Sequence, residues 1–419
     1  MEAYTITGGN ILSGEVLVQG SKNAALPLMA AAVVNDGVTV LHNCPDISDV
    51  RYMAEILEYL GCVVEYKSAC MSIDASAVEY RTLPEYMIKQ TRASVLILGA
   101  LIARKGYVEL SYPGGCNIGA RPVDFHLEAF RRLGVEVVTE DEKISCHVNK
   151  AVGNEIKFRF PSVGATENAI LAACRAKGVT TIHNAAKEPE IIELCEMLSA
   201  MGVSVKGGGT SLISVMGTEE FRDVVHHISS DRIVAGTYMC AGAAAGGRVR
   251  VKVNNVSALE EMNKVFYKMG CHVTTGNDYC DIRRPDRICA VNVLETRPYP
   301  GFPTDMQSQF LAVLSIAKGQ SIIVENIFEA RFRVAYELNK MGADIIIDGN
   351  KATVNGVKSL TGSTVTSKEL RGGAALIIAG LEAEGVTCVQ DEGYIKRGYE
   401  NIAEIIAALG GNISCDEFH

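Results

Sequence analysis

Leu133-Gly134-Val135-Glu136-Val137 is one of six copies of a single signature: Leu or Met, then Gly, then two residues, then a β-branched residue. The other copies begin at Leu60, Met201, Met269, Met341 and Leu409, and successive copies lie between 68 and 73 residues apart. A fixed period of that length marks a duplicated supersecondary unit. A second marker keeps phase with the first. Ala-rich apolar stretches end in a Gly and run into a strand-like segment at Gly37-Val38, Gly106-Tyr107, Gly178-Val179, Gly247-Arg248, Gly319-Gln320 and Gly385-Val386. The Gly is expected to cap a helix, and the run after it to form a strand. Each unit is therefore expected to run helix, strand, loop, helix, turn, strand, strand.

The two ends of the chain complement each other. After Leu409 the last copy has room for one short strand, and Tyr4-Thr5-Ile6-Thr7 and Gly14-Glu15-Val16-Leu17-Val18 are strand-like segments with no unit of their own. Residues 1–21 are expected to complete the last repeats. That gives an α/β chain of two domains with three repeats each: 22–229, and 1–21 plus 230–419. Two chain crossings between such domains would permit closure over a ligand cleft.

Composition narrows the function. The chain has 419 residues, 48% hydrophobic and 21% charged, which suits a globular fold. A formal net charge of −9 argues against a nucleic-acid binder. No basic segment followed by an apolar run opens the sequence, and no apolar run is long enough to span a bilayer. The 13 cysteines are scattered and none form a C-x-x-C pair, as expected of reduced thiols in a cytoplasmic protein rather than a disulfide framework or a zinc site. Cys62, Cys174, Cys195, Cys240 and Cys388 sit in apolar stretches and are expected in the core.

Polar residues recur where each unit begins its first helix: Lys22-Asn23, Arg92, Ser162 with Gly164, Asp231-Arg232, Asp305, and Glu369 with Arg371. A second set follows the first strand of each unit: Asp49, a Cys116 loop, Glu188, Asn254, Glu329 with Arg331, and Lys396-Arg397. Equivalent positions in a repeat fall at the same end of the structure. Lys22, Arg92, Arg121, Arg331, Arg371 and Arg397 would then gather cations in an acidic protein, beside helix N-termini that favour anions. Such a site suits a ligand with several phosphates or carboxylates. In Phe302-Pro303-Thr304-Asp305-Met306-Gln307, Asp305 could instead cap a helix over 306–317.

The Cys116 loop, Pro113-Gly114-Gly115-Cys116-Asn117-Ile118-Gly119-Ala120-Arg121-Pro122-Val123-Asp124-Phe125-His126, is rich in glycine. Arg121-Pro122 is expected to start a helix with Pro in its first turn, with Val123, Leu127 and Phe130 buried and Gly134 closing it. His126 is expected on the helix surface. A thiol beside an arginine and a helix N-terminus has its pKa lowered, which fits a proton donor or nucleophile.

The sixfold unit, together with Gly20-Ser21-Lys22-Asn23-Ala24-Ala25-Leu26-Pro27, the Cys116 loop, Pro161-Ser162-Val163-Gly164-Ala165-Thr166-Glu167-Asn168 and Pro300 to Gln307, resembles the enolpyruvyl transferases. Within them it is similar to the branch that uses UDP-N-acetylglucosamine. The resemblance covers Ile6 to Leu409. It implies an inside-out α/β barrel in two domains. It further implies transfer of the enolpyruvyl group of phosphoenolpyruvate to the 3′-hydroxyl of UDP-N-acetylglucosamine, with release of phosphate and no metal or cofactor, at the first committed step of peptidoglycan synthesis. By motif match, Lys22, Arg121 and Arg397 would bind phosphoenolpyruvate. Asn23, Arg92, Arg121, Pro122, Val123, Asp124, Phe125, Ser162, Val163, Gly164, Asp305 and Ile327 would hold the UDP-sugar, with Arg331 and Arg371 beside them. Cys116 would be the general acid and Asp305 the base.

The chain departs from the family pattern at Ser48, Val234, Ala330, Glu369 and Lys396, where the family usually carries Lys, Glu, Asn, Asp and Asp. Those departures leave a second expectation open: a weakly active paralogue that binds the UDP-sugar as a sensor. A transferase acting on shikimate 3-phosphate shares the fold and is a further alternative. The Cys116 loop and Ser162-Val163-Gly164 fit it less well.

Overall fold

The computed structural model describes residues 2–79, 81–114, 119, 122–140 and 142–417. It divides into two compact units. One comprises Met1–Gln19 and Ser230–His419, and the other Gly20–Gly115 and Arg121–Ser229, leaving aside the mostly undescribed segment 116–120. Each unit holds three helices that are buried almost all round. In the second unit these are Lys22–Ala32, Leu96–Lys105 and Val163–Ala173, and in the first Arg232–Ala245, Gln307–Leu314 and Leu370–Glu382. Their sequences explain this. A helix apolar on every face must be covered on every face, and Ala and Gly let neighbouring backbones come close. A Cβ on Gly99 would stand 2.6 Å from Asn168, and one on Gly236 would stand 2.6 Å from the Met262 sulfur.

Six sheets cover these helices, and alternate strand residues point inward. One pattern serves throughout. The strand after a buried helix pairs antiparallel with a hairpin strand and parallel with a short edge strand. Val179–His183, for example, lies between Leu212–Met216 and Glu155–Lys157. The sheet of Tyr107–Ser111 has three described strands and the others have four. No described sheet closes on itself. Helices inside and open sheets outside are the inside-out arrangement.

The chain ends complete the pattern. Glu2–Thr7 pairs antiparallel with both Val386–Asp391 and Asn412–Glu417, taking the hairpin position that the last repeat lacks. Leu12–Leu17 is the parallel edge strand of Gly247–Lys252, and Val224–His227 serves Val38–His42. Each of these edge strands pairs within its own unit, and the chain passes to the other unit directly after it.

All six signature glycines, Gly61, Gly134, Gly202, Gly270, Gly342 and Gly410, have φ between 82° and 108°. That left-handed turn is what the signature encodes. The second marker differs from expectation. Only Gly106 is itself a C-cap, and Gly178, Gly247, Gly319 and Gly385 instead make left-handed turns beyond the helix end. Gly37 has no positive φ. The helix expected over 306–317 is a 3₁₀ turn Thr304–Met306 followed by Gln307–Leu314. Cys62, Cys174, Cys195 and Cys240 are buried, whereas Cys388 is only half-buried because it sits on a strand facing solvent on one side.

Candidate functional site

In the unit containing residues 230–419, the start of the Gln307 helix and the start of the Leu370 helix meet in a charged cluster. Asp305 lies in the 3₁₀ turn before Gln307 and does not cap the helix, because its carboxylate is taken by two arginines. Arg331 donates to Oδ1, and Arg371 Nη2 donates to Oδ2 at 3.1 Å. Both arginines are 3% exposed. Glu369 completes the cluster. Its carboxylate accepts the backbone N–H of Arg371 at 2.7 Å and that of Gly372, capping the helix, and lies 3.7 Å from Arg331. Burial opposes the charge on Arg371, but Asp305, Tyr399 and Asp231 outweigh it and raise its pKa above the ordinary value. Arg371 therefore stays a cation, and by reciprocity the same coupling favours ionised Asp305.

Neighbouring loops are fixed by carboxylates. Glu325 Oε1 accepts the N–H groups of Ile327 (2.8 Å) and Phe328 (3.2 Å), and its Oε2 accepts the Thr304 hydroxyl at 2.9 Å. The Phe328 ring lies 5.2 Å from the Arg331 guanidinium. Arg397 ends the 3₁₀ turn Ile395–Arg397, which Asp391 Oδ2 holds through the N–H groups of Gly393 and Ile395. Gln19 braces the far side by donating to the Gly398 carbonyl at 3.2 Å and accepting the Glu400 N–H at 3.0 Å.

In the unit of residues 20–229, Lys22 opens its helix after the Ser21 cap, and its ammonium is 2.7 Å from Asp49. Half-buried Asn23 follows it. Arg92 starts a 3₁₀ turn capped by Thr91, and its Nη1 donates to the Pro113 carbonyl at 3.3 Å, tying it to the beginning of the Cys116 loop. Ser162 caps the Val163 helix through the Ala165 N–H, with Val163 and Gly164 in its first turn. Free N–H groups at such a helix start are the usual receptors for phosphate oxygens.

The helix after the Cys116 loop begins at Asp124, so Pro122 precedes it rather than occupying its first turn. Val123, Leu127 and Phe130 are buried as expected. Asp124 is exposed, and Phe125 packs on Phe158 with ring centroids 6.1 Å apart. His126 is not on the surface. It is 6% exposed, and its Nδ1 lies 2.8 Å from Asn168 Nδ2. Asn168 Oδ1 accepts the Gly99 N–H at 2.8 Å and Nδ2 also donates to the Val95 carbonyl at 3.0 Å. These contacts fix the amide, so Nδ1 is an acceptor and the proton of neutral His126 sits on Nε2. A Cβ on Gly164 would stand 3.2 Å from the His126 ring.

Cys116 and Arg121 lie outside the described residues. Sequence reasoning overlooked the roles of Glu325, Asp391 and Asn168, whose signal is faint: each stands beside other polar residues, as in Glu325-Asn326, Gln390-Asp391-Glu392 and Thr166-Glu167-Asn168. It also overlooked Glu167, buried beside Glu190 and Glu188, whose pKa is pushed up to about 8 by burial and then by those two carboxylates. The departure at Lys396 is explained by its ion pair with Glu2 of the N-terminal strand. Glu369 retains the cap that a shorter Asp would make, and Ser48 opens a helix whose next residue is the Lys22 partner Asp49. Nothing in the structure explains Val234 or Ala330. No group of three or more His, Cys, Asp or Glu among the described residues is arranged to hold a metal ion.

Residues 6–406 match the family model of EPSP synthase (3-phosphoshikimate 1-carboxyvinyltransferase). Over 99% of both chains, the sequence is 46% identical to UDP-N-acetylglucosamine 1-carboxyvinyltransferase 2 of Caldanaerobacter subterraneus subsp. tengcongensis. It is 43% identical to UDP-N-acetylglucosamine 1-carboxyvinyltransferase of Trichlorobacter lovleyi, again over 99% of each. Among solved structures, the enolpyruvyl transferase NikO from Streptomyces tendae superposes with a TM-score of 0.90 at 25% identity, over 99% of this chain and 98% of that one. EPSP synthase from Acinetobacter baumannii gives 0.77 at 18% identity over both whole chains, a likeness of fold alone.

Proposed function

The chain belongs to the enolpyruvyl transferase family, and from that premise we propose that it transfers the enolpyruvyl group of phosphoenolpyruvate to the 3′-hydroxyl of UDP-N-acetylglucosamine. Asp305 between two buried arginines is the observation that carries the residue roles. In the addition step the sugar oxygen bonds to C2 of phosphoenolpyruvate, and its proton passes to Asp305. Cys116 gives a proton to C3. In the elimination step C3 loses a proton, the C2–O bond to phosphate breaks and phosphate leaves, restoring the double bond. An acid and a base are both required because carbon gains a proton as oxygen loses one. The clamp by Arg331 and Arg371 supports an ionised and oriented Asp305.

Lys22, Arg121 and Arg397 hold the carboxylate and phosphate of phosphoenolpyruvate and stabilise charge at the reacting centre. Asn23, Arg92, Pro122 to Phe125, Ser162 to Gly164 and Ile327 hold the UDP-sugar. Its diphosphate suits the N–H groups that begin the Val163 helix. No metal or other cofactor enters this chemistry. The free state of every described cysteine is compatible with a reducing, cytoplasmic setting for this enzyme.

The test offers purified protein phosphoenolpyruvate with either UDP-N-acetylglucosamine or shikimate 3-phosphate and identifies the product by mass spectrometry. Enolpyruvyl-UDP-N-acetylglucosamine alone is the expected result. An adduct of shikimate 3-phosphate would transfer the assignment to that acceptor. Loss of turnover in Cys116→Ser would support the acid, and wild-type turnover would remove it from that role.

A further inference from the structure

Beneath the Asp305 cluster lies a buried group of neutral polar side chains that none of the assigned roles uses. Thr237, Gln309 and Tyr399 come from the Arg232 helix, the Gln307 helix and the segment after Arg397, and each is at most 1% exposed. Their protons can be placed. Thr237 Oγ1 donates to the Ile233 carbonyl at 2.8 Å, so the Tyr399 hydroxyl, also 2.8 Å away, must donate to Thr237. Gln309 Nε2 donates to Thr237 Oγ1 at 3.2 Å and lies 3.4 Å from the Tyr399 oxygen. Burial raises the Tyr399 phenol above its ordinary value, which keeps that proton in place.

These bonds fix the Tyr399 ring against Arg371, whose guanidinium carbon lies 5.9 Å from the ring centroid. Arg371 spends Nη2 on Asp305, while its buried Nη1 has no hydrogen-bond partner among the described residues. A neutral ring holds the guanidinium in place without competing with Asp305 for its charge. The position of that ring depends on the hydroxyl that Thr237 and Gln309 hold.

The geometry points to Tyr399 as a positioning residue for the reaction: held by Thr237 and Gln309, it sets the orientation of Arg371 and, through it, of the Asp305 carboxylate. The inference rests on Asp305 being the base. The charged groups around that base are Arg331 with Glu369 behind it and Arg371 with Asp231 behind it. Moving Arg371 removes positive charge from one carboxylate oxygen, so Asp305 takes up a proton at higher pH.

The experiment compares the pH profiles of kcat for wild type, Tyr399→Phe and Asp305→Asn, with KM for both substrates and thermal melting of each protein. Tyr399→Phe is expected to lower kcat about tenfold or more, to leave the KM for UDP-N-acetylglucosamine within about twofold, and to move the acidic limb to higher pH. A wild-type kcat and limb in Tyr399→Phe, whatever its melting temperature, would overturn the proposal. Asp305→Asn tests the underlying assignment separately: full activity in that variant would remove Asp305 as base irrespective of Tyr399. Should Tyr399→Phe fail to fold, Thr237→Val decides. The same direction of limb shift supports the proposal, and an unchanged profile overturns it.

Discussion

The two units use one scaffold to opposite electrostatic ends. Each opens buried helices with a capping side chain at the helix start, where the backbone leaves a positive field. In the unit of residues 230–419 that place is filled by charges in balance: Asp305 and Glu369 against Arg331 and Arg371, resting on neutral Thr237, Gln309 and Tyr399. In the unit of residues 20–229 the described cations at helix starts are held apart, Lys22 by Asp49 and Arg92 by the Pro113 carbonyl, and the Val163 helix packs through the amide of Asn168 and a neutral His126. The first arrangement fixes a carboxylate, the base of the proposed reaction. The second is the side to which the proposed reaction assigns the anions. Repetition thus supplies geometry twice, and the residues at a few equivalent positions assign each copy its chemistry.

Asp305→Asn should break the contrast most severely, lowering kcat by about 10²–10⁴-fold, the usual contribution of a positioned acid or base. Isothermal titration of the UDP-sugar alongside turnover would separate loss of chemistry from loss of binding. Lys22→Met should raise the KM for phosphoenolpyruvate and also destabilise the fold by about 3 kcal/mol, because it removes the cation beside buried Asp49. Adding Asp49→Asn should restore much of the urea resistance without restoring the KM. Recovery of both would make Lys22 a structural residue only.

Asn168→Ala should cost about 1 kcal/mol in urea denaturation by removing the amide that bridges the Gly99 N–H, the Val95 carbonyl and the His126 ring. Glu167 offers a test by pH. Its folded value of about 8 lies above the ordinary carboxyl range, so the folded state holds a proton that the unfolded chain gives up. Stability from this source is full at acidic pH and falls as pH rises from the unfolded value towards about 8. Glu167→Gln should therefore melt higher than wild type at pH 8, and the gain should shrink towards pH 4. Lys396→Ala should have the smallest effect, about 0.5 kcal/mol, since its pair with Glu2 is half-exposed. Turnover should be unaffected if Lys396 belongs to strand pairing rather than to the site.

Much of the fold was legible because periodic signals are local. The Leu/Met-Gly signature encodes a left-handed turn wherever it occurs, and all six glycines adopt it. The unpaired strands at residues 2–17 announced themselves by lacking a unit. The Gly at the start of each strand was read as a C-cap, which holds for Gly106 alone. A turn two to five residues past a helix end and a C-cap look alike in one dimension. The candidate site was legible where charged residues share a phase, as with Asp305 and Arg371, which meet in one cluster. It was opaque where a side chain is defined by partners far away in sequence. His126 looks like a surface residue until Asn168, 42 positions later, takes its Nδ1. Tyr399 and Thr237, 162 positions apart, carry no sequence signal of their pairing.

The most direct measurement is phosphate released from phosphoenolpyruvate by the purified protein, with and without UDP-N-acetylglucosamine. Release that requires the UDP-sugar, in amounts equal to the enolpyruvyl product formed, is the predicted result. Release at the same rate without the sugar, or none with both substrates present, would contradict the account.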